Sequence, residues 1–212
     1  MKTLVIFDLD GTLLNTSYDL MNAVNYALEK LNYNPVTLDE VIKKTGRGIK
    51  RLIEDTISSS DDNIKEEALS YFKDYYFNNC TKETYIYDGI KDVLKTLKKK
   101  EIKLAVVSNK SQELTSKIIS FYFDGIFDLV LGAREGLNLK PERDMIDYVL
   151  KEFDAKTQEV IYIGDSLIDY QTAKNSNLEF LNVSYGFVKR EVLESNGINT
   201  ILNEAKEILN YF

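Results

Sequence analysis

Two carboxylates one residue apart, Asp8 and Asp10, stand directly after the apolar run Leu4-Val5-Ile6-Phe7 and directly before Gly11-Thr12. At i and i+2 of an extended backbone their side chains point the same way, and the glycine lets backbone amides approach a ligand closely. Without any chemistry, the same residues read as a polar strand end entering an Asp-Gly turn. Three more groups carry chemistry-bearing side chains: Ser108-Asn109 after an apolar run ending at Val107, Lys140-Pro141 before a helical pattern, and Gly164-Asp165-Ser166 with Asp169 after a run ending at Ile163. Taken singly, Ser108, Ser111 or Asp165 serves equally well as a helix cap, and a lysine before proline as a solvated loop residue. Taken together, each follows its strand in the order one composite site requires. The 212 residues include no histidine, which excludes Ser-His-Asp triads, histidine zinc sites and proximal-histidine haem sites. Catalysis near neutral pH therefore falls to carboxylates, lysines, hydroxyls or a metal.

The elements that must position these groups alternate between short β-branched runs and amphipathic segments. The strand candidates are Leu4 to Phe7, Ile102 to Val107, Phe127 to Leu131, Val160 to Ile163 and Phe180 to Val183. Most are almost continuously apolar, as in strands covered on both faces. Ile90, Val93, Leu94 and Leu97 share a helical face with Asp88 as the expected cap; Leu114, Ile118 and Phe121 make a second stripe after Ser111. Met145, Val149 and Phe153 make a third, with Pro141 in its first turn. The alternation predicts an α/β fold: a Rossmann-like parallel sheet with helices on both faces and right-handed crossovers. In such a sheet ligands bind beyond the carboxyl ends of the strands, where all four groups fall.

From Ser17 to Glu83 the alternation stops. Leu20, Val24, Ala27, Leu28 and Leu31 form one helical stripe, Ile49, Leu52, Ile53 and Ile57 another, and Ile64, Ala68, Phe72 and Tyr76 a third. Thr37 and Glu40 have capping-box spacing and open a short helix between the first two. The sequence thus predicts a catalytic core of residues 1–16 and 84–212 interrupted by an α-helical insert of residues 17–83, with hinges at Asn15 to Ser17 and Thr81 to Tyr85.

The ordered set of motifs resembles the haloacid dehalogenase-like superfamily over nearly the whole chain, most closely its phosphoglycolate phosphatase-like branch. Asp8-x-Asp10-Gly11-Thr12 is similar to the first motif, Ser108 to the second, Lys140 to the third and Gly164-Asp165-x-x-x-Asp169 to the fourth; the insert resembles the helical cap. Gly46-Arg47-Gly48 is similar to a Gly-x-Gly cap loop of that branch, where it would bear on substrate specificity. Glu142-Arg143 and Asn175-Ser176-Asn177 depart from the branch pattern.

The resemblance implies a Mg²⁺-dependent phosphatase acting on a small phosphorylated metabolite through an aspartyl-phosphate. Asp8 would be the nucleophile, Asp10 the general acid and base, and Lys140 the balancing cation. Gly11, Thr12, Ser108, Asn109 and Lys140 would bind phosphate. Asp8, the Asp10 carbonyl and Asp165 would hold the metal, backed by Asp169 and Ser166. A pyrophosphatase of the same superfamily and a β-phosphoglucomutase-like enzyme are the rival readings. The mutases look for a histidine early in the helix after the first motif, where this chain has Leu20.

The net charge of −7 argues against a nucleic-acid partner. Cys80 is the single cysteine, which suits a reducing compartment. The apolar run at the N-terminus is shorter than a signal peptide needs, and no run approaches the roughly 20 apolar residues of a membrane span. These features predict a cytoplasmic protein with no membrane partner.

Overall fold

The structure, a computed structural model, describes residues 2–212. Among the described residues, eight strands appear in chain order: β1 (Leu4–Phe7), β2 (Leu14–Asn15), β3 (Tyr85–Ile86), β4 (Lys103–Ser111), β5 (Leu129–Ala133), β6 (Val160–Gly164), β7 (Glu179–Val183) and β8 (Ile201–Leu202). The same residues form nine α-helices: α1 (Ser17–Lys30), α2 (Leu38–Lys44), α3 (Ile49–Thr56), α4 (Asp62–Asn79), α5 (Ile90–Lys99), α6 (Gln112–Phe123), α7 (Asp144–Glu152), α8 (Leu167–Asn175) and α9 (Arg190–Ser195). Two compact units form, one from Met1–Asn15 with Ile86–Phe212 and one from Thr16–Tyr85. No helix of the described residues is long and apolar enough to cross a membrane.

The first unit is built on a six-stranded sheet in the order β5-β4-β1-β6-β7-β8, parallel at every pairing. All four residues of β1 are buried, as a strand between two parallel neighbours with helices over both faces requires. Leu4 and Ile6 join Ala105, Val107, Leu131, Met145, Ile146, Val149, Val160 and Tyr162 in one apolar cluster. From β1 the chain runs outward through β4 and β5 on one side, and then through β6, β7 and β8 on the other. That reversal makes the carboxyl ends of β1 and β6 the natural place for a ligand.

Several local expectations change. Strand β4 continues past Val107 to Ser111, and its register against β5 shifts between those residues. The bulge aims Ser108, Asn109 and Lys110 away from regular strand geometry. Helix α5 is capped by Gly89, at φ +80°, with no side-chain cap, so Asp88 does not fill that role. Pro141 precedes α7 by three residues and lies outside its first turn. Phe121 is 66% exposed, because the buried arc of α6 runs through Thr115, Ile118, Ile119 and Phe123 and turns away from it. Thr115 can occupy that arc since its hydroxyl donates to the carbonyls of Lys110 and Ser111. Strand β8, only two residues long, carries too little pattern to be seen in the sequence.

The second unit is helical. The α2 capping box is present: Thr37 N donates to Glu40 Oε2 at 2.8 Å, and Glu40 N donates to Thr37 Oγ1 at 3.4 Å. Leu20, Ala23, Val24, Ala27 and Leu28 of α1 pack with Ala68, Phe72 and Tyr76 of α4, and Tyr26 stacks on Tyr75 at 4.6 Å. The buried Asp19 carboxylate accepts from the backbone of Glu83 and Thr84 and from the Thr84 hydroxyl, tying the first turn of α1 to the segment after α4.

Candidate active site

Asp8 is placed by β1: its N–H donates to Ile163 O of β6 at 2.9 Å, which extends the ladder one residue beyond the strand. The chain then folds over itself, with Thr12, Leu13 and Leu14 all donating to Leu9 O. Gly11 sits at φ +84°, and a side chain there would drive into the Asp165 carboxylate. Only glycine permits both the turn and the close approach.

Asp165 follows β6 and is almost fully buried. Thr12 Oγ1 donates to its Oδ1 at 3.3 Å, and Phe187 N donates to its Oδ2 at 2.7 Å. Ser166, not Asp165, caps α8, in a reciprocal box with Asp169. Ser166 Oγ donates to Asp169 Oδ2 at 2.6 Å, while Asp169 Oδ1 accepts from Tyr162 Oη at 2.6 Å and Lys140 Nζ at 2.8 Å. Asp8, Asp165 and Asp169 each offer an oxygen within 4.8 Å of the others.

Lys140 enters this cluster from the loop before α7 and is buried, not solvated. Its ammonium, with three protons to give, reaches Asp8 Oδ1 at 2.7 Å, Asp169 Oδ1 at 2.8 Å, Tyr162 Oη at 2.9 Å and Val107 O at 3.2 Å. The Asn109 side chain fixes the backbone there, accepting from Lys140 N at 2.8 Å and donating to Lys140 O at 2.9 Å. Asn175, one of the residues departing from the branch pattern, donates to Pro141 O at 2.8 Å and steadies the same loop. Ser108 is buried and accepts from Lys110 N at 3.2 Å. Asp10, at the rim, pairs with Lys110 Nζ at 2.6 Å.

Three buried carboxylates and one buried ammonium leave a deficit of positive charge. Asp8 is pushed up to about 7 by burial first, then by Asp169, with Lys140 only partly offsetting. Burial, then Asp169 and Asp8, drive Asp165 well above the carboxylate range. Asp169 is held low: burial works against it, but Lys140 and the hydrogen bonds from Ser166 and Tyr162 prevail. The Lys140 ammonium keeps its proton despite burial because Asp169 and Asp8 face it. An all-oxygen cluster with surplus negative charge suits a hard cation and can present a carboxylate to an electrophile.

The sequence profile of the haloacid dehalogenase-like hydrolases matches residues 5–183. The chain belongs to that family. A phosphoglycolate phosphatase of Colwellia psychrerythraea is 29% identical over 216 residues, covering 98% of this chain and 96% of that protein. One of Aquifex aeolicus is 31% identical over 186 residues, covering 87% of this chain and 86% of that protein. Among solved structures, a Lactobacillus delbrueckii subsp. bulgaricus protein provisionally named a phosphoglycolate phosphatase superposes with a TM-score of 0.92 at 33% identity, covering 98% and 97% of the two chains. This haloacid dehalogenase-like hydrolase is thus a phosphatase of the phosphoglycolate phosphatase-like kind.

Within the family member, Asp8, Gly11, Thr12, Ser108, Asn109, Lys140, Asp165, Ser166 and Asp169 come together around the ends of β1, β4 and β6, with Asp10 beside them. Gly46, Arg47 and Gly48 lie in the helical unit, between α2 and α3, where Gly48 caps α3 at φ +86°. Four contributors escaped the sequence reading as site residues. Lys110 directly follows Ser108-Asn109, and a bulge brings its side chain to bear. Tyr162 sits in an apolar run, where a buried phenol needs a partner for its hydroxyl. Gly186 and Phe187 follow β7: a side chain on Gly186 would strike Gly11 O and Asp165, so the lone glycine was the available signal.

Proposed function

We propose that this hydrolase is a Mg²⁺-dependent phosphomonoesterase that works through phosphorylation of Asp8, on a small metabolite of the phosphoglycolate or sugar-phosphate class. The observation that carries the reading is Lys140 bridging Asp8 and Asp169 inside a buried cluster that still lacks cationic charge. Among the described residues Asp165 has neutral donors, Thr12 and Phe187, and no ion pair. Asp8, Asp165 and the Asp10 carbonyl would hold a divalent cation, with Asp8, Asp165 and Asp169 each offering an oxygen within 4.8 Å of the others. When bound, such an ion supplies the positive charge that lets a phosphate approach two carboxylates.

Asp8 attacks phosphorus, and Asp10 gives a proton to the departing alcohol oxygen, then takes one from the water that attacks the phosphorylated Asp8. Lys140 favours the ionised form of Asp8 and aims its carboxylate, while Asp169 and Tyr162 keep Lys140 in place. Ser108, Thr12 and the amides near Gly11 and Asn109 receive phosphate oxygens as charge moves onto them. Residues 17–83 serve as the cap, and Gly46-Arg47-Gly48 reads the rest of the substrate. The relatives' names favour phosphoglycolate, and the single cysteine, Cys80, fits work in a reducing compartment such as the cytoplasm.

A screen of phosphate release from phosphoglycolate, sugar phosphates, nucleotides and pyrophosphate, with Mg²⁺ and with EDTA, tests the proposal. Release from a monoester that EDTA abolishes and Mg²⁺ restores is expected. Isomerisation without phosphate release, or turnover of pyrophosphate alone, would overturn it.

A further inference from the structure

Lys110 has no part in the mechanism above, yet its side chain is 2% exposed and its ammonium lies 2.6 Å from Asp10 Oδ1. The lysine is held at both ends. Its N–H donates to Ser108 Oγ at 3.2 Å, and its carbonyl accepts from Thr115 Oγ1 at 3.1 Å, so the β4 bulge has little freedom to carry the ammonium elsewhere. Burying an ammonium costs free energy unless it is paired in good geometry. Asp10, by contrast, stands in a turn: the backbone bonds around Leu9, Gly11 and Leu14 fix its Cα, while a side chain has up to three staggered χ1 wells to choose among.

We infer that Lys110 is a positioning residue for Asp10, pinning one carboxylate oxygen so that the group is aimed at the leaving oxygen of the ester. The inference rests on the phosphatase reading of Asp10. In the step concerned, the bond from Asp8 to phosphorus forms while the ester P–O bond breaks. The electron pair of the broken bond stays on the leaving oxygen, and the proton from the Asp10 carboxyl goes to it. An ester with an acidic leaving group does not need that proton. Aim therefore matters for an alkyl phosphate and hardly at all for an aryl one.

The experiment compares kcat/KM, which reports steps up to phosphorylation of Asp8, for the wild type and Lys110→Met on two esters. One is phosphoglycolate, or the best alkyl phosphate of the screen; the other is p-nitrophenyl phosphate. The Met variant should lose about 10²-fold on the alkyl ester and less than about 3-fold on the aryl one, the size expected for a misaimed general acid. Lys110→Arg keeps the cation but alters its reach, and is read by the same ratio if the Met variant does not fold. Equal losses on both esters would overturn the inference. So would an unchanged ester ratio with weaker inhibition by inorganic phosphate, the mark of a direct phosphate ligand. A wild type that hydrolyses neither ester would overturn the phosphatase reading itself, and this inference with it.

Discussion

The Lys140 ammonium lies 2.7 Å from Asp8 Oδ1, a contact between residues 132 positions apart that joins the loop before α7 to the end of β1. The same nitrogen holds Asp169 at 2.8 Å, so one cation neutralises part of two buried carboxylates. Remove it and both anions stay behind with too little compensation.

Lys140→Met should therefore abolish turnover and also weaken the fold. Breaking a buried pair by deleting one partner costs about 3–5 kcal/mol. Urea unfolding near neutral pH without divalent cations measures this. A variant as stable as the wild type would mean that the cluster does not depend on the lysine.

Acidity gives a second prediction. Asp8 is raised from 3.8 to about 7, so between those values the folded chain binds more protons than the unfolded one. Stability from this group is present at low pH and lost as pH rises through the window. Asp165, also raised, has the same sign. Asp169, held low, has the opposite sign, but its contribution is lost only as pH falls below the ordinary carboxylate range. In cation-free buffer the wild-type Tm should fall relative to that of Asp8→Asn between about pH 5 and pH 8. Added Mg²⁺ should raise the wild-type Tm more at the upper end, since cation binding needs deprotonated ligands. A Tm difference between the two proteins that stays flat with pH would contradict this.

Gly186→Ala should loosen the proposed metal site without replacing any of its ligands. A Cβ there would strike Gly11 O and Asp165, in the loop whose Phe187 N–H anchors that carboxylate. Overpacking of this kind costs about 1–3 kcal/mol. The expected result is a raised Mg²⁺ requirement together with a lowered Tm. An unchanged Mg²⁺ titration curve would show that the loop does not position Asp165.

Asp8→Asn should lower kcat by about 10⁴-fold or more, as removal of a nucleophile does. Burst and steady-state phosphate release measure it. Residual turnover within a factor of about 10² of wild type would mean that the carboxylate is not attacked through.

The parallel sheet was legible because strands buried on both faces must be apolar runs, as β1, β6 and the Leu104–Val107 stretch of β4 are. The acidic residues were legible because each stands just past such a run. Less accessible were features that depend on partners distant in sequence. Phe121 satisfies a helical period, but the arc of α6 that turns inward is set by Ile119, Phe123 and the hydroxyl of Thr115. Asn109 reads as a phosphate ligand through its backbone amide, while the pairing of its side chain with the Lys140 backbone 31 residues on has no local signal. Tyr162 looked like core, and its ring is, but its hydroxyl completes the Lys140–Asp169 contact. Lys110 needed the β4 bulge, which no local pattern announces.

The stereochemical course at phosphorus tests the central claim most directly. Hydrolysis of an isotopically chiral thiophosphate ester in labelled water should proceed with overall retention, because attack by Asp8 and then by water each invert the centre once. Overall inversion would mean that water displaces the alcohol in a single step, and would contradict phosphorylation of Asp8.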